Sequence, residues 1–176
     1  MRKVGLTAAV LATLVLTLSG CGKESTANNT ANNESLIEAP VQEAAASGAF
    51  GTAVKSADGI TSEVTNPTSF KPGQFASGQL PGYTNNAFNF KFTNNSKAAL
   101  DLPSLIVTAR SGAEQVCVDV LDADNGFAGA PAEPLAVGAS VDFKWGISCP
   151  SKAGDDLKIT LQVAGVDIYE AKGKLA

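Results

Sequence analysis

Histidine is absent from all 176 residues. A Ser-His-Asp or Cys-His relay therefore has no base, and zinc hydrolysis built on His-Glu-x-x-His is excluded. Methionine occurs once, as Met1, so a chain that loses its leader has neither thioether nor imidazole with which to carry copper. There are three cysteines and no Cys-x-x-Cys, which argues against redox catalysis. Neither a Gly-x-x-x-x-Gly-Lys loop nor a dinucleotide fingerprint is present, and no cofactor is expected. Lys and Arg number 13 against 17 Asp and Glu, with few basic clusters. That balance argues against nucleic acid and against adsorption to anionic headgroups.

What is present starts at the N-terminus. Arg2-Lys3 precedes an apolar run from Val4 to Leu18, and Leu18-Ser19-Gly20-Cys21 follows. This order is that of a signal peptide, and the tetrad resembles the lipobox of bacterial lipoproteins. Two other readings are an uncleaved membrane span and an ordinary secretory signal. A span needs about 20 apolar residues, and this run is shorter and broken by Gly5, Thr7, Thr13 and Thr17. The lipobox implies cleavage after residue 20, lipid on Cys21, and attachment to the outer face of the cell membrane. Two acyl chains anchor stably, whereas one holds marginally, at about 0.8 kcal/mol per buried methylene. Without residues 1–20, eleven Lys and Arg remain against 17 acids, a net charge of −6.

With Cys21 assigned to lipid, Cys117 and Cys149 are left as an even pair in an oxidising compartment. A disulfide between them closes a loop of about 33 residues. The competing reading, two thiols holding a metal, has no histidine to complete a tetrahedral shell.

Residues 21–49 are rich in Asn, Ala, Glu, Thr and Ser and read as a polar tether with an end-to-end distance of about 30 Å. Ala44-Ala45-Ala46 is compatible with a short helical turn. The domain is expected over residues 50–176. Phe88, Phe90 and Phe92 alternate with Asn89, Lys91 and Thr93, the period of a half-buried strand. Val116, Val118 and Val120 alternate with Cys117 and Asp119. Val141, Phe143, Trp145 and Ile147 share a parity that brings Cys149 inward, and Leu157, Ile159, Leu161 and Val163 mark another strand. Ala164-Gly165 reads as a turn into Val166–Tyr169. Asp58-Gly59 suits a hairpin between 51–56 and 60–65, Pro103 marks a bulge or edge in 100–109, and 67–83 reads as a long irregular connection. No segment shows helical periodicity over three turns. These features predict an all-β chain, an antiparallel sandwich of seven or more strands with one disulfide, with a closed barrel as the alternative.

The run Phe88–Lys97, ending in the turn Thr93-Asn94-Asn95-Ser96-Lys97, resembles secreted immunoglobulin-like domains of unknown function on lipoproteins of Gram-positive actinobacteria, similar to the immunoglobulin-like secreted antigens of mycobacteria. Leu100-Asp101-Leu102, Asp122–Gly126 and Leu135–Ser140 continue the likeness, with Val137 where Pro is usual. The resemblance implies an immunoglobulin-like fold and an extracellular address, and it brings no catalytic residues.

Two sets of residues remain as site candidates. Asp122, Asp124 and Asn125, with Gly126 to turn the chain, offer hard oxygen ligands for calcium. Glu133 lies near the distance of a closing ligand, but Pro131 and Pro134 break the helix that should carry it, and an exposed polar loop is the plainer reading. Phe70, Phe75, Tyr83 and Phe127 lie in Gly/Pro-rich connections, where recognition residues concentrate. Asp122-Asp124 and Asp155-Asp156 read as solvated surface pairs rather than glycosidase carboxylates. The expected role is contact rather than catalysis: a lipid-anchored module meeting an envelope or extracellular protein. A solute-binding or accessory lipoprotein and an inhibitor of secreted proteases are the alternatives.

Overall fold

The computed structural model describes residues 45–176. The expected signal peptide, the expected lipid site at Cys21 and the expected tether up to residue 44 lie outside the described residues. Among the described residues, eleven strands form two sheets. The first has the order β1 (Ala46–Ala49), β11 (Val166–Lys174), β10 (Asp156–Val163), β6 (Ile106–Ser111) and β7 (Gln115–Val116). The second has the order β2 (Val54–Lys55), β3 (Ile60–Val64), β5 (Thr84–Asn94), β9 (Ser140–Cys149) and β8 (Val118–Val120), with β4 (Thr68–Ser69) added on β5. The chain is an all-β sandwich, as its periodicity predicts. Its ladders are antiparallel except one: β1 runs parallel to β11.

Residues 46–49 thus pair with β11 just ahead of residue 50, where the domain is expected to start. Ala46 opens a strand rather than a helical turn. Small residues are needed there. A Cβ on Gly48 would meet Val54 Cγ2 at 2.7 Å and the Tyr169 hydroxyl at 3.1 Å, and that hydroxyl donates to the Thr52 carbonyl at 3.2 Å.

The central pair is β5 on β9, in register from Thr84 opposite Cys149 to Thr93 opposite Ser140. Phe88, Phe90 and Phe92 are buried on the inner face of β5. Leu157, Ile159, Leu161 and Val163 of β10, with Tyr169 and Ala171 of β11, meet them from the other sheet in one core. Burial of such side chains contributes about 1.5–3 kcal/mol each. Ala164 and Gly165, with φ of 50° and 82°, make the tight turn between β10 and β11, the mirror-image turn that matches strand twist. β2 and β3 pair across the Asp58-Gly59 loop.

Two expectations fail on local grounds. Pro103 lies in a short 3-10 helix, Leu102–Ser104, ahead of β6, rather than in a bulge. Here its fixed φ and missing N–H cost nothing. The 116–120 alternation is also interrupted. Val116 belongs to the first sheet and Val118 to the second, and both are exposed, while Cys117 between them is buried. The chain changes sheet at Cys117, so no single parity spans the run.

Cys117 and Cys149 form a disulfide at a Cα separation of 4.3 Å. It fastens the crossover to the end of β9. Trp145, two turns of the pleat earlier, is buried in the same core.

Candidate functional site

The connection 70–83 folds back over the outer face of the second sheet and along the free edge of β8. Ser77 and Leu121 exchange backbone hydrogen bonds, with N–H to carbonyl distances of 2.9 and 3.0 Å. Gly78, at φ 90°, lies so close to β8 that an added Cβ would fall 1.9 Å from the Asp119 carbonyl oxygen. Only glycine permits that approach. Farther along, the Leu80 N–H donates to Ser148 Oγ at 3.3 Å.

Asp122 fixes the other end of the same connection. Its Oδ2 accepts the Gly73 N–H at 2.8 Å and Asn125 Nδ2 at 2.7 Å, and Asn125 Nδ2 also reaches the Lys71 carbonyl at 3.1 Å. The Gly73 N–H first, and Asn125 second, hold the Asp122 carboxyl below its ordinary pKa. Asp124 lies in the 3-10 turn Ala123–Asn125, closed by Gly126 at φ 79°. Asp122 and Asp124 flank Gly73, whose Cβ would meet oxygens of both. Among the described residues, no group of three or more His, Cys, Asp and Glu is placed to hold a metal ion. In this structure the Asp122 and Asn125 side chains hydrogen-bond the backbone of the 70–83 connection, and Asp122 is buried at 3% exposure rather than solvated as expected.

The four aromatic candidates separate. Phe127 is buried at 4% exposure, which corrects its expected place in a surface patch. Gly146 leaves a gap on β9 that the Phe127 ring fills, since a Cβ at Gly146 would meet that ring at 2.6 Å. Phe70 packs on Phe127 edge-on, with ring centroids 4.8 Å apart, and is half-buried, as is Tyr83. Phe70 and Phe127 make a small apolar layer outside the main core, beneath the connection. Phe75 is different, being 86% exposed. It lies between Gly73 and Ser77, two positions whose backbone is tied down. Leu80, Val118 and Leu121 are also exposed along this edge. Phe75 thus stands on a fixed loop at the rim of an apolar edge, a surface of the kind that marks interaction sites.

Asp119 supports the underside of this edge. As a whole the residue is exposed, but its Oδ1 accepts the Trp145 indole N–H at 2.9 Å. Desolvation beside the indole raises its pKa, and the hydrogen bond offsets only part of that. The native state thus favours the protonated acid. Its contribution to stability is complete below the unfolded value and is lost as pH rises through the raised native value. Asp119→Asn is expected to raise the thermal midpoint at pH 7, with the difference from wild type closing as pH falls to about 3. Melting curves across that range check it.

One grouping escaped the sequence reading, which found few basic clusters. Arg110, Lys158, Lys172 and Lys174 meet on the outer face of the first sheet. They are scattered over 65 positions of chain, and only strand register brings them together.

No family model matches the chain, nor does any curated protein. Solved structures do resemble it. A candidate lipoprotein of Bacillus subtilis, ycdA, superposes with a TM-score of 0.54 at 13% identity, over 70% of this chain and 38% of its own. This chain therefore spans well under half the length of that protein. A secreted protein of Mycobacterium tuberculosis, MPT63, gives a TM-score of 0.50 at 12% identity, over 74% of this chain and 99% of its own. An uncharacterised β-sandwich protein of Clostridium difficile gives 0.46 at 14% identity, over 73% and 94%. At these identities the likeness to the first two bears on the fold and on nothing finer.

Proposed function

We propose that this chain is a lipid-anchored, non-catalytic binding module on the outer face of the cell membrane. In this reading Cys21 carries the lipid, the polar segment behind it is the tether, and the sandwich meets an envelope or extracellular protein through the rim around Phe75. One observation carries the binding role: a phenylalanine 86% exposed on a loop held at both ends by hydrogen bonds. A fixed aromatic loses little conformational entropy when it is covered, which favours its use as an anchor. The lipobox supports the address, and the lack of histidine supports a role other than acid–base catalysis. Among the described residues, no helix is long and apolar enough to cross a membrane.

Two variants of the full chain test the two halves separately. Cys21→Ser should abolish incorporation of a labelled fatty acid and release the protein from the membrane fraction. A photo-crosslinker at position 75 should capture a discrete partner in cells, and Phe75→Ser, tested with a crosslinker at Leu121, should reduce that capture about tenfold. Capture unchanged by Phe75→Ser would remove the rim from the reading.

A further inference from the structure

We propose that the outer face of the first sheet, at Arg110, Lys158, Lys172 and Lys174, is a binding site for closely spaced phosphate-type oxyanions. The sheet register sets Lys158 directly opposite Arg110 on β6 and opposite Lys172 on β11. All three point away from the core, since their neighbours Ala109, Ile159 and Ala171 are buried. With strands about 4.8 Å apart, the three cations make a row about 10 Å long. Lys174 adds a fourth charge beside it, across a cleft of about 530 Å³. Four of the chain's 13 basic residues are thus gathered in a protein of net negative charge.

Like charges directly opposite on neighbouring strands are destabilising, so folding alone does not favour such a row. The acidic groups that face it are Glu114, on Lys158 Nζ at 3.1 Å, Glu170, on Lys172 Nζ at 2.6 Å, and Asp156, on Lys174 Nζ at 2.5 Å. Among the described residues, Arg110 has no carboxylate partner. Its Nη1 donates instead to the Glu114 carbonyl at 3.2 Å.

Glu114 is the informative member. It holds a left-handed φ of 60°, unusual for a residue other than glycine. From that position its carbonyl meets Arg110 and its carboxylate meets Lys158. It stands in for an external anion at the centre of the row. Exposed ion pairs of this kind contribute little, so an incoming ligand with several charges displaces them at small cost. The Arg110 fork and the lysine ammoniums match phosphate oxygens. A row about 10 Å long asks for more than one phosphate, as in a linear polyphosphate or adjacent anionic lipid headgroups.

The test uses the full chain carrying Cys21→Ser, so that no acyl chain contributes. Titration calorimetry with tripolyphosphate and with inorganic phosphate, and sedimentation with phosphatidylglycerol and phosphatidylcholine vesicles, separate the sources. At low salt, tripolyphosphate should bind more tightly than inorganic phosphate and weaken as salt is raised. Lys158→Gln with Lys172→Gln should lower that affinity about tenfold, and Glu114→Gln should raise it several-fold. These side chains are surface groups, and unchanged melting curves show that the variants fold. Binding to phosphatidylglycerol vesicles without binding to tripolyphosphate, lost in the same double variant, assigns the oxyanions to a lipid surface. Binding to neither polyanion, or equal binding by the double variant, overturns the site. None of these readouts depends on Phe75.

Discussion

Replacing Cys117 and Cys149 with alanine is expected to cost the sandwich about 3–4 kcal/mol, the chain entropy released by opening a loop of this length. The two cysteines are separated by 32 positions, and between them lie β8, the turn at Asp122 and most of β9. The bond fixes the point at which the chain leaves one sheet for the other. Without it, β8 is held to β9 by three residue pairs and the Trp145–Asp119 side-chain hydrogen bond. A drop of about 10–15 °C in thermal midpoint should follow. Reductant should produce the same drop in the wild type and none in the double variant. A wild type whose midpoint ignores reductant would show that the bond carries no load. Because β8 supports the Phe75 connection through Ser77 and Gly78, the opened variant should also lose protection from proteolysis there before it unfolds globally.

Phe90→Ala is the second large effect, at about 3–5 kcal/mol. Phe90 is fully buried at the centre of β5. Its ring lies 5.6 Å from Phe143, 5.7 Å from Trp145 and 6.4 Å from Phe88. Truncation leaves a cavity among three rings that cannot collapse, because Phe143 and Trp145 are held on β9 and Phe88 on β5. The denaturant midpoint should fall with little change in slope. Phe75→Ala provides the contrast, since an exposed phenylalanine has no such contacts to lose, and its stability should change by less than about 0.5 kcal/mol. The two phenylalanines, fifteen positions apart, then separate a packed ring from an uncovered one within one experiment.

Much of this fold can be read directly where a strand has one wet face and one dry face. The Phe88-Phe90-Phe92 run, the Trp145-Ile147-Cys149 parity and the Leu157–Val163 run all sit as their alternation predicts. The Cys117–Cys149 pair follows from cysteine arithmetic. What escaped depends on partners distant in the chain. β1 is built from Ala, Ser and Gly, which carry no periodic signal, and it exists because β11 offers an open edge. Val116 and Val118 belong to different sheets, so their shared parity misleads. Phe127 reads as a loop aromatic, yet Gly146 makes a seat for it on a strand surface that would otherwise be outside. The candidate site divides in the same way. Phe75 was visible because nothing covers it, whereas the Arg110–Lys158–Lys172 row appears only once strands are placed in register.

β1 also decides how the body would answer to a pull. Tension applied to the chain ahead of Ala46 enters along the axis of a strand paired in parallel with β11 at four successive residues. Such a load is shared by those pairs together, in shear, instead of peeling them one at a time. The Tyr169 hydroxyl on the Thr52 carbonyl and the Phe50 N–H on the Lys172 carbonyl continue the grip past the end of the strand. A protein held to a surface by its N-terminal end, and drawn away by whatever it grasps, would have its mechanical clamp at the point where the leash enters.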